Sequence, residues 1–296
     1  MRTYFDCIPC FLRQSLDSVR LITDDERIHE ELMRQVLALA CKMDLRQSPP
    51  AMAQKIHQLI RKLTGVQDPY RRTKDRFNRL ALQMYPELKN RVATSAAPLE
   101  TAVRLAIAGN IIDFGVNSEL EESHIEITIT ESLTAPLDMG ALEEFKQAAA
   151  QAKNILYLGD NAGEIVFDRL LIELLGRKRI TLVVKAGPII NDATIEDALD
   201  TGLNDVVKVI DNGSDAPGTI LESCSQSFRD RFDKADLVIA KGQGNYETLS
   251  DTDKNIFFIL RAKCPVIARD LDCAVGEMIL RKGEKFEKRL MMISLM

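Results

Sequence analysis

The sequence has no tryptophan, and its aromatic residues amount to 5% of the 296 positions. Nucleic-acid bases are usually held by stacking on such rings, so a base-reading surface is not expected. Excess positive charge is also missing. Lys and Arg number 39 against 44 Asp and Glu, a formal net charge of −5. The electrostatic footprint of a nucleic-acid binder is therefore absent. Any phosphate-bearing ligand must meet local positive charge, from a metal ion, a lysine or a helix N-terminus. No apolar run approaches the roughly 18–20 residues of a membrane helix. The opening Met1-Arg2-Thr3-Tyr4-Phe5-Asp6-Cys7 lacks the apolar core of a signal peptide. Six cysteines are too few for a secreted disulfide scaffold, so a reducing cytoplasm is expected.

The rest of the composition, 46% apolar and 28% charged, is that of a globular chain. Its length suits about two domains at roughly 150 residues each. Through residue 120 or so the apolar residues recur at helical spacing, as in Phe11-Leu12, Leu16 and Val19, then Leu32, Val36 and Leu39. Pro49-Pro50 and Asp68-Pro69 break the pattern. An amphipathic stretch covers Asp75 to Met84, and another helix from Pro98 is expected to stop at Gly109. Residues 125–129 alternate like a strand yet also fit a helix, and stay open. Pro136 to Gly140 reads as a linker.

Beyond it, short apolar runs alternate with helical stretches. The runs are 155–158, 180–184, 206–210, 237–240, 256–260 and 265–268. Such alternation indicates a parallel sheet covered on both faces. In an open α/β sheet, ligands bind beyond the carboxyl ends of the strands. Four consecutive strand ends here open into Gly-, Asp- and Asn-rich loops: Gly159-Asp160-Asn161-Ala162-Gly163-Glu164; Lys185 to Thr194, with Asn191-Asp192; Asp211 to Thr219; and Lys241-Gly242-Gln243-Gly244-Asn245-Tyr246-Glu247. Asp160 and Asp192 lie 32 positions apart, about one strand–helix–strand unit. With Asn161 they form an all-oxygen set suited to Mg²⁺ or Mn²⁺. Lys241 and the amides of Gly242 to Gly244 would then meet the phosphate. Taken singly, these residues are also ordinary turn residues and helix caps.

Other chemistries find no motif. Gly159 to Glu164 and Gly242 to Glu247 both fail the dinucleotide pattern G-x-G-x-x-G, and no P-loop exists. No G-x-S-x-G elbow occurs, and His29, His57 and His124 all lie in the helical half. Ala162 stands where an aspartyl-phosphate enzyme would need its second Asp, so attack by a metal-activated water fits better. Cys7-Ile8-Pro9-Cys10 is a C-x-x-C that could serve as half a metal site, as a redox pair or as two packed apolar side chains. Cys41, Cys224, Cys264 and Cys273 are expected in the core.

Leu158 to Glu164, Ile189-Ile190-Asn191-Asp192-Ala193-Thr194, Lys241 to Glu247 and Ala108-Gly109-Asn110-Ile111-Ile112-Asp113 together resemble the damage-control metallophosphatases, a family long catalogued as a domain of unknown function. The C-x-x-C resembles the mark of its stand-alone microbial subfamily, and the resemblance runs from about residue 4 to about 285. It implies a helical N-terminal domain, 1–138, and a Rossmann-like α/β/α catalytic domain, 139–296, with a mainly parallel sheet. It implies a divalent metal (Mn²⁺, Ni²⁺, Co²⁺ or Mg²⁺) on Asp160, Asn161 and Asp192. Asn110, Asp113, Lys241 and the run through Asn245 would face the substrate. Phosphate monoesters of small metabolites are the implied substrates, sugar phosphates or damaged purine nucleotides, with Asp160 and Lys241 catalytic. A carboxyl methyltransferase using S-adenosylmethionine, or a non-catalytic sensor built on Cys7 and Cys10, are the rival readings. No membrane or nucleic-acid partner is expected, and homo-oligomerisation is left open.

Overall fold

The computed structural model describes residues 1–111 and 122–285. Three helices open the chain: α1 (Cys7–Arg20), α2 (Glu26–Lys42) and α3 (Pro49–Thr64). Asp25 caps α2 through its side chain, and Pro49-Pro50 start α3, where a missing N–H costs nothing. Gly65 ends α3 in the left-handed conformation. Their apolar faces close a small cluster of Phe11, Val19, Leu32, Val36, Met52, Ile56 and Ile60.

The next four helices are α4 (Arg71–Thr94), α5 (Pro98–Ile111), α6 (Glu122–Thr134) and α7 (Met139–Gln151). Helix α4 outruns the expected 75–84 and carries on through Pro86, because buried Phe77, Ala81, Tyr85, Leu88 and Val92 continue one apolar stripe. Residues 125–129 are helical. Of their isoleucines Ile129 is buried and Ile127 is exposed, a one-sided pattern that suits a helix lying on a core. Gly109 does not stop α5. A Cβ there would lie 3.0 Å from the Phe167 Cβ, so this glycine permits a close helix crossing.

From residue 155 the alternation gives β1 (Ile155–Leu158), α8 (Glu164–Leu175), β2 (Ile180–Val184), α9 (Ile195–Asp200), β3 (Lys208–Asp211), α10 (Gln226–Lys234), β4 (Leu237–Lys241), α11 (Gly242–Leu249), β5 (Ile256–Arg261), α12 (Pro265–Leu271) and β6 (Met278–Lys282). The six strands form one sheet in the order β3-β2-β1-β4-β5-β6. All neighbours are parallel except β5 and β6. The expected strand at 265–268 is instead α12, for which Pro265 presets the first helical φ. The antiparallel edge β6 was not anticipated.

Successive strand residues serve opposite faces. Ile155, Tyr157, Leu182, Leu237, Ile239 and Phe257 pack with α4, α5, α7 and α8, whereas Leu156, Leu158, Val183, Val238, Ala240 and Phe258 pack with α10, α11 and α12. Burial on both faces explains why the strands read as continuous apolar runs. The first of these clusters joins residues on both sides of position 138. Among the described residues, no helix is long and apolar enough to cross a membrane.

Candidate active site

Strand order reverses where β1 lies between β2 and β4, the place at which open α/β sheets bind ligands. The loops leaving β1 and β2 are joined to each other there. Ala162 N–H donates to Asn191 O at 2.9 Å, and Ala193 N–H donates to Asp160 O at 2.8 Å. These bonds make a bridge centred on Asn161 and Asp192. Asp160, Asn161 and Asp192 are thereby gathered at one edge of the sheet, 8%, 6% and 4% exposed. Two residues before Asp192, Ile190 has φ 46°, a conformation that β-branched residues rarely adopt and that typically costs about 1–3 kcal/mol. The loop is held in it partly by Arg61, whose guanidinium donates to Pro188 O at 2.9 Å.

Three buried acids, Asp160, Glu164 and Asp192, gather at this edge. Asn110 Nδ2 donates to Asp160 Oδ2 at 2.9 Å and to Glu164 Oε2 at 3.0 Å. Asn161 Nδ2 does the same, at 3.0 and 2.8 Å. Two amides thus wedge between two carboxylates. Burial lifts the Asp160 carboxyl well above its ordinary range, and the charges of Glu164 and Asp192 add to this. Lys263 and Lys185 pull it back down. Burial likewise pushes Asp192 up to about 6, against the opposing charge of Lys185. Lys185 Nζ stands 3.5 Å from Asp192 Oδ2, an ion-pair distance, yet no hydrogen bond reaches that oxygen.

These features fit a hard cation. An orphaned buried carboxylate oxygen, a second carboxylate resisting ionisation and the amide oxygen of Asn161 form an all-oxygen donor set. Among the described residues no group of three or more His, Cys, Asp or Glu side chains is arranged for a metal. The fit therefore rests on two carboxylates and one amide, with the remaining positions left to water and ligand, as is usual for Mg²⁺.

Glu164 also belongs to a second cluster, in which one buried cation meets two carboxylates. Lys241, fully buried, donates to Glu164 Oε1 and Asp168 Oδ1, both at 2.6 Å, and to Ala106 O at 2.8 Å. Tyr157 OH donates to Asp168 Oδ1 at 2.8 Å. The ammonium has three N–H groups, and all three are committed within the protein. Burial disfavours its charge, but Asp168 and Glu164 outweigh burial and raise its pKa. Asp168 is pushed up to about 7 by burial, with Lys241 opposing. The expected contact between Lys241 and a phosphate is not available in this geometry.

Helix α11 starts directly after Lys241, where a loop was expected, and it starts against Asp160. A Cβ on Gly242, whose φ is 77°, would fall 1.9 Å from Asp160 Oδ2. The N–H groups of its first turn have no intrahelical acceptor. Gln243 donates to Glu247 Oε1 at 3.0 Å and meets Cys264 Sγ at 3.6 Å. Gly244 packs against Gly218. Asn245 ties the strand ends together, donating to Lys241 O at 2.7 Å and accepting from Thr219 Oγ1 at 2.7 Å. Asn110, expected to face substrate, is fully buried between the carboxylates, and Asp113 lies outside the described residues. Cys7 and Cys10 begin α1 with free thiols, near enough to Glu247 and Cys264 for those groups to raise their pKa alongside burial. Cys10 and Cys41 are exposed, so Cys41 is not a core residue.

Sequence reasoning missed Glu164, Asp168, Lys185 and Lys263. Glu164 and Asp168 sit four apart on α8 and so share a face, but an acidic first turn is common in helices. Lys185 was visible as the residue closing the second strand run.

A Rossmann-like sheet with buried acids and amides gathered at its switch point defines an α/β protein with a candidate ligand site at the strand ends. Residues 3–279 match the family model described as the damage-control phosphatase ARMT1-like domain. The chain is 35% identical over 289 residues to the damage-control phosphatase PH1575 of Pyrococcus horikoshii, covering 96% of this chain and 99% of that one. It is 36% identical over 284 residues to a damage-control phosphatase of Archaeoglobus fulgidus, covering 94% and 98%. A protein of Methanocaldococcus jannaschii, MJ0202, is 39% identical over 288 residues, 94% of each chain. The crystal structure of the Pyrococcus horikoshii protein, described as a DUF89 family protein, superposes with a TM-score of 0.86 at 34% identity over 96% of this chain and 99% of that one. The chain belongs to the ARMT1-like damage-control phosphatase family, and this membership supports phosphatase activity.

Proposed function

We propose that the protein is a divalent-metal-dependent phosphatase of small phosphorylated metabolites, with sugar phosphates and damaged purine nucleotides as the first substrates to try. The observation that carries this reading is the convergence of Asp160, Asn161 and Asp192 across the bridge between two strand ends. Asp160, Asp192 and the Asn161 amide oxygen would hold the cation, which is Mn²⁺, Ni²⁺, Co²⁺ or Mg²⁺. When bound, it supplies Lewis-acid charge and a water of lowered pKa.

The chain's own residues do the rest. The amides of Asn110 and Asn161 keep Asp160 and Glu164 apart and fix their orientation. Asp160, against the start of α11, orients the attacking water. Lys185 and Lys263, the cations whose charge Asp160 feels, stabilise negative charge on the phosphoryl oxygens. The first-turn amides of Gly242 to Gly244 receive an oxyanion without a compensating cost in side-chain entropy. Lys241 acts as a positioning residue, holding Glu164 and Asp168 in place from below. Residues 139–296 then carry the catalytic ligands, and residues 1–138 contribute the walls through Asn110 and the α4 face.

The test uses purified full-length protein, Mn²⁺ and para-nitrophenyl phosphate, followed by a panel of sugar phosphates and purine nucleotides. Asp160→Ala is expected to lower kcat/KM by roughly 10³-fold or more, on the scale of losing a preorganised electrostatic group, with its circular dichroism unchanged. Near-wild-type turnover of that variant in the presence of metal would overturn the assignment.

A further inference from the structure

We infer that one turn of α4, from Lys74 to Asn78, is a bracket that sets the spacing between the two loops carrying the proposed metal ligands. This deepens the reading above and rests on it. Asn78 Oδ1 accepts from Gly163 N at 2.7 Å, at the end of the loop that begins with Asp160 and Asn161. Its Nδ2 donates to Asp197 Oδ1 at 3.0 Å. Asp197 Oδ2 in turn accepts from Thr194 N and Thr194 Oγ1, both at 2.8 Å, at the end of the loop that carries Asp192. A continuous chain of bonds, Gly163 to Asn78 to Asp197 to Thr194, thus joins the two loops through a helix of the other half of the molecule.

The residue types suit the task. One side of position 78 needs an acceptor for a backbone N–H and the other a donor for a carboxylate, and a single amide provides both. Lys74 Nζ stands 2.7 Å from Asp197 Oδ2, so the bracket adds no net charge to a pocket that already holds too much of one sign. Asp68 lies 3.4 Å from the same ammonium. Lys74, Asn78 and Asp197 are 1%, 3% and 0% exposed, which shields these bonds from water. Gly163 rests directly on α4, where a Cβ would lie 3.1 Å from atoms of Phe77.

The bracket also has something to resist. Asp160 and Asp192 repel each other, and two backbone bonds bridge their loops directly. Weakening Asn78 should let the loops relax apart and spoil the cation site before it unfolds the protein. The hydrogen bonds of Asn78 go to Asp197 and the Gly163 backbone and not to the proposed ligands, so it is a positioning residue.

The decisive measurement is calorimetric titration of Mn²⁺ alone into EDTA-stripped full-length protein, comparing wild type, Asn78→Ala and Asn90→Ala. Asn90 is an exposed residue of the same helix. Asn78→Ala should weaken Mn²⁺ binding roughly 10- to 100-fold, the range found for outer-shell partners of metal ligands. Asn90→Ala should leave the Kd unchanged. Should Asn78→Ala fail to fold, Asn78→Ser, which keeps one hydroxyl to donate or accept, is read the same way. A folded Asn78 variant that binds Mn²⁺ as tightly as wild type overturns the bracket alone. Wild-type protein that binds no Mn²⁺ overturns the metal reading, and the bracket falls with it.

Discussion

The ends of β1 and β4 are neighbours in the sheet, Leu158 beside Ala240, and each has a buried charge close by. Asp160 follows β1, and Lys241 is the last residue of β4. The two ends differ in how that charge is met. Around Lys241 all three N–H groups of the ammonium are met, by two carboxylates and a carbonyl, and a phenol joins through Asp168, whose other oxygen has no hydrogen bond. Around Asp160 the neighbours are amides and further carboxylates, and the lysines act from a distance. A charge balanced from within is structure, whereas a charge left unbalanced in a buried pocket calls for something from outside. The family resemblance alone did not separate these two ends, because both sit in its motifs.

The sharpest way to break this comparison is Lys241→Met. Removing the cation leaves Glu164 and Asp168 buried without their partner, so the expected cost is about 3–5 kcal/mol. Urea denaturation at neutral pH reads it. A variant within about 1 kcal/mol of wild type that has nevertheless lost all activity would return Lys241 to the substrate and undo the contrast.

The complementary test concerns the unbalanced end. Mn²⁺ at 100 times its Kd should stabilise the wild type by about 2.7 kcal/mol. For a chain of this size that raises Tm by about 4 °C. In Asp160→Asn, Asp192→Asn the rise should vanish. Without metal this double variant should melt above metal-free wild type at neutral pH, since it removes two mutually repelling buried acids. A metal-free variant less stable than metal-free wild type would mean that the acids are already compensated from within.

Much of this was legible in the sequence, and the limits have physical causes. Strands buried on both faces show as apolar runs, so β1 to β5 could be read and their ends inspected for polar residues. Antiparallel β6, with Arg281 and Lys282 among its five residues, lacks that signature. The convergence of Asp160, Asn161 and Asp192 was legible because loops after parallel strands share an edge whatever their detailed shape. The burial of Lys241 against two acids was not, because both come from α8, where Glu164 looks like an ordinary first-turn acid and Asp168 follows one turn later. Lys74 and Asn78 were not singled out, being polar residues just before and just inside the start of an amphipathic stretch, yet they fall in register with buried Phe77 and Ala81. That register is the one signal that marked them as interior. Gly109 looked like a stop because a missing side chain permits a helix end and a tight crossing alike.

The smallest expected effect supplies a control: a buried acid that neither end explains. Glu247, on α11, has its carboxylate near the Gln243 amide, 3.0 Å away, while the Met1 ammonium bonds to its backbone oxygen rather than its side chain. Burial pushes it up to about 7 from the usual 4.5, and the amide and the N-terminal charge only partly offset this. The folded chain therefore keeps a proton between about pH 4.5 and 7 that the unfolded chain has released. Its contribution to stability is full below about 4.5 and falls as the pH rises through about 7. Glu247→Gln removes the penalty, so at pH 8 the variant should exceed wild type by on the order of 2 kcal/mol. At pH 4.5 the difference should nearly vanish. Paired urea titrations at the two pH values measure it. An advantage of the same size at both would trace to packing instead, and Glu247 would then carry no unbalanced charge to set beside that of Asp160.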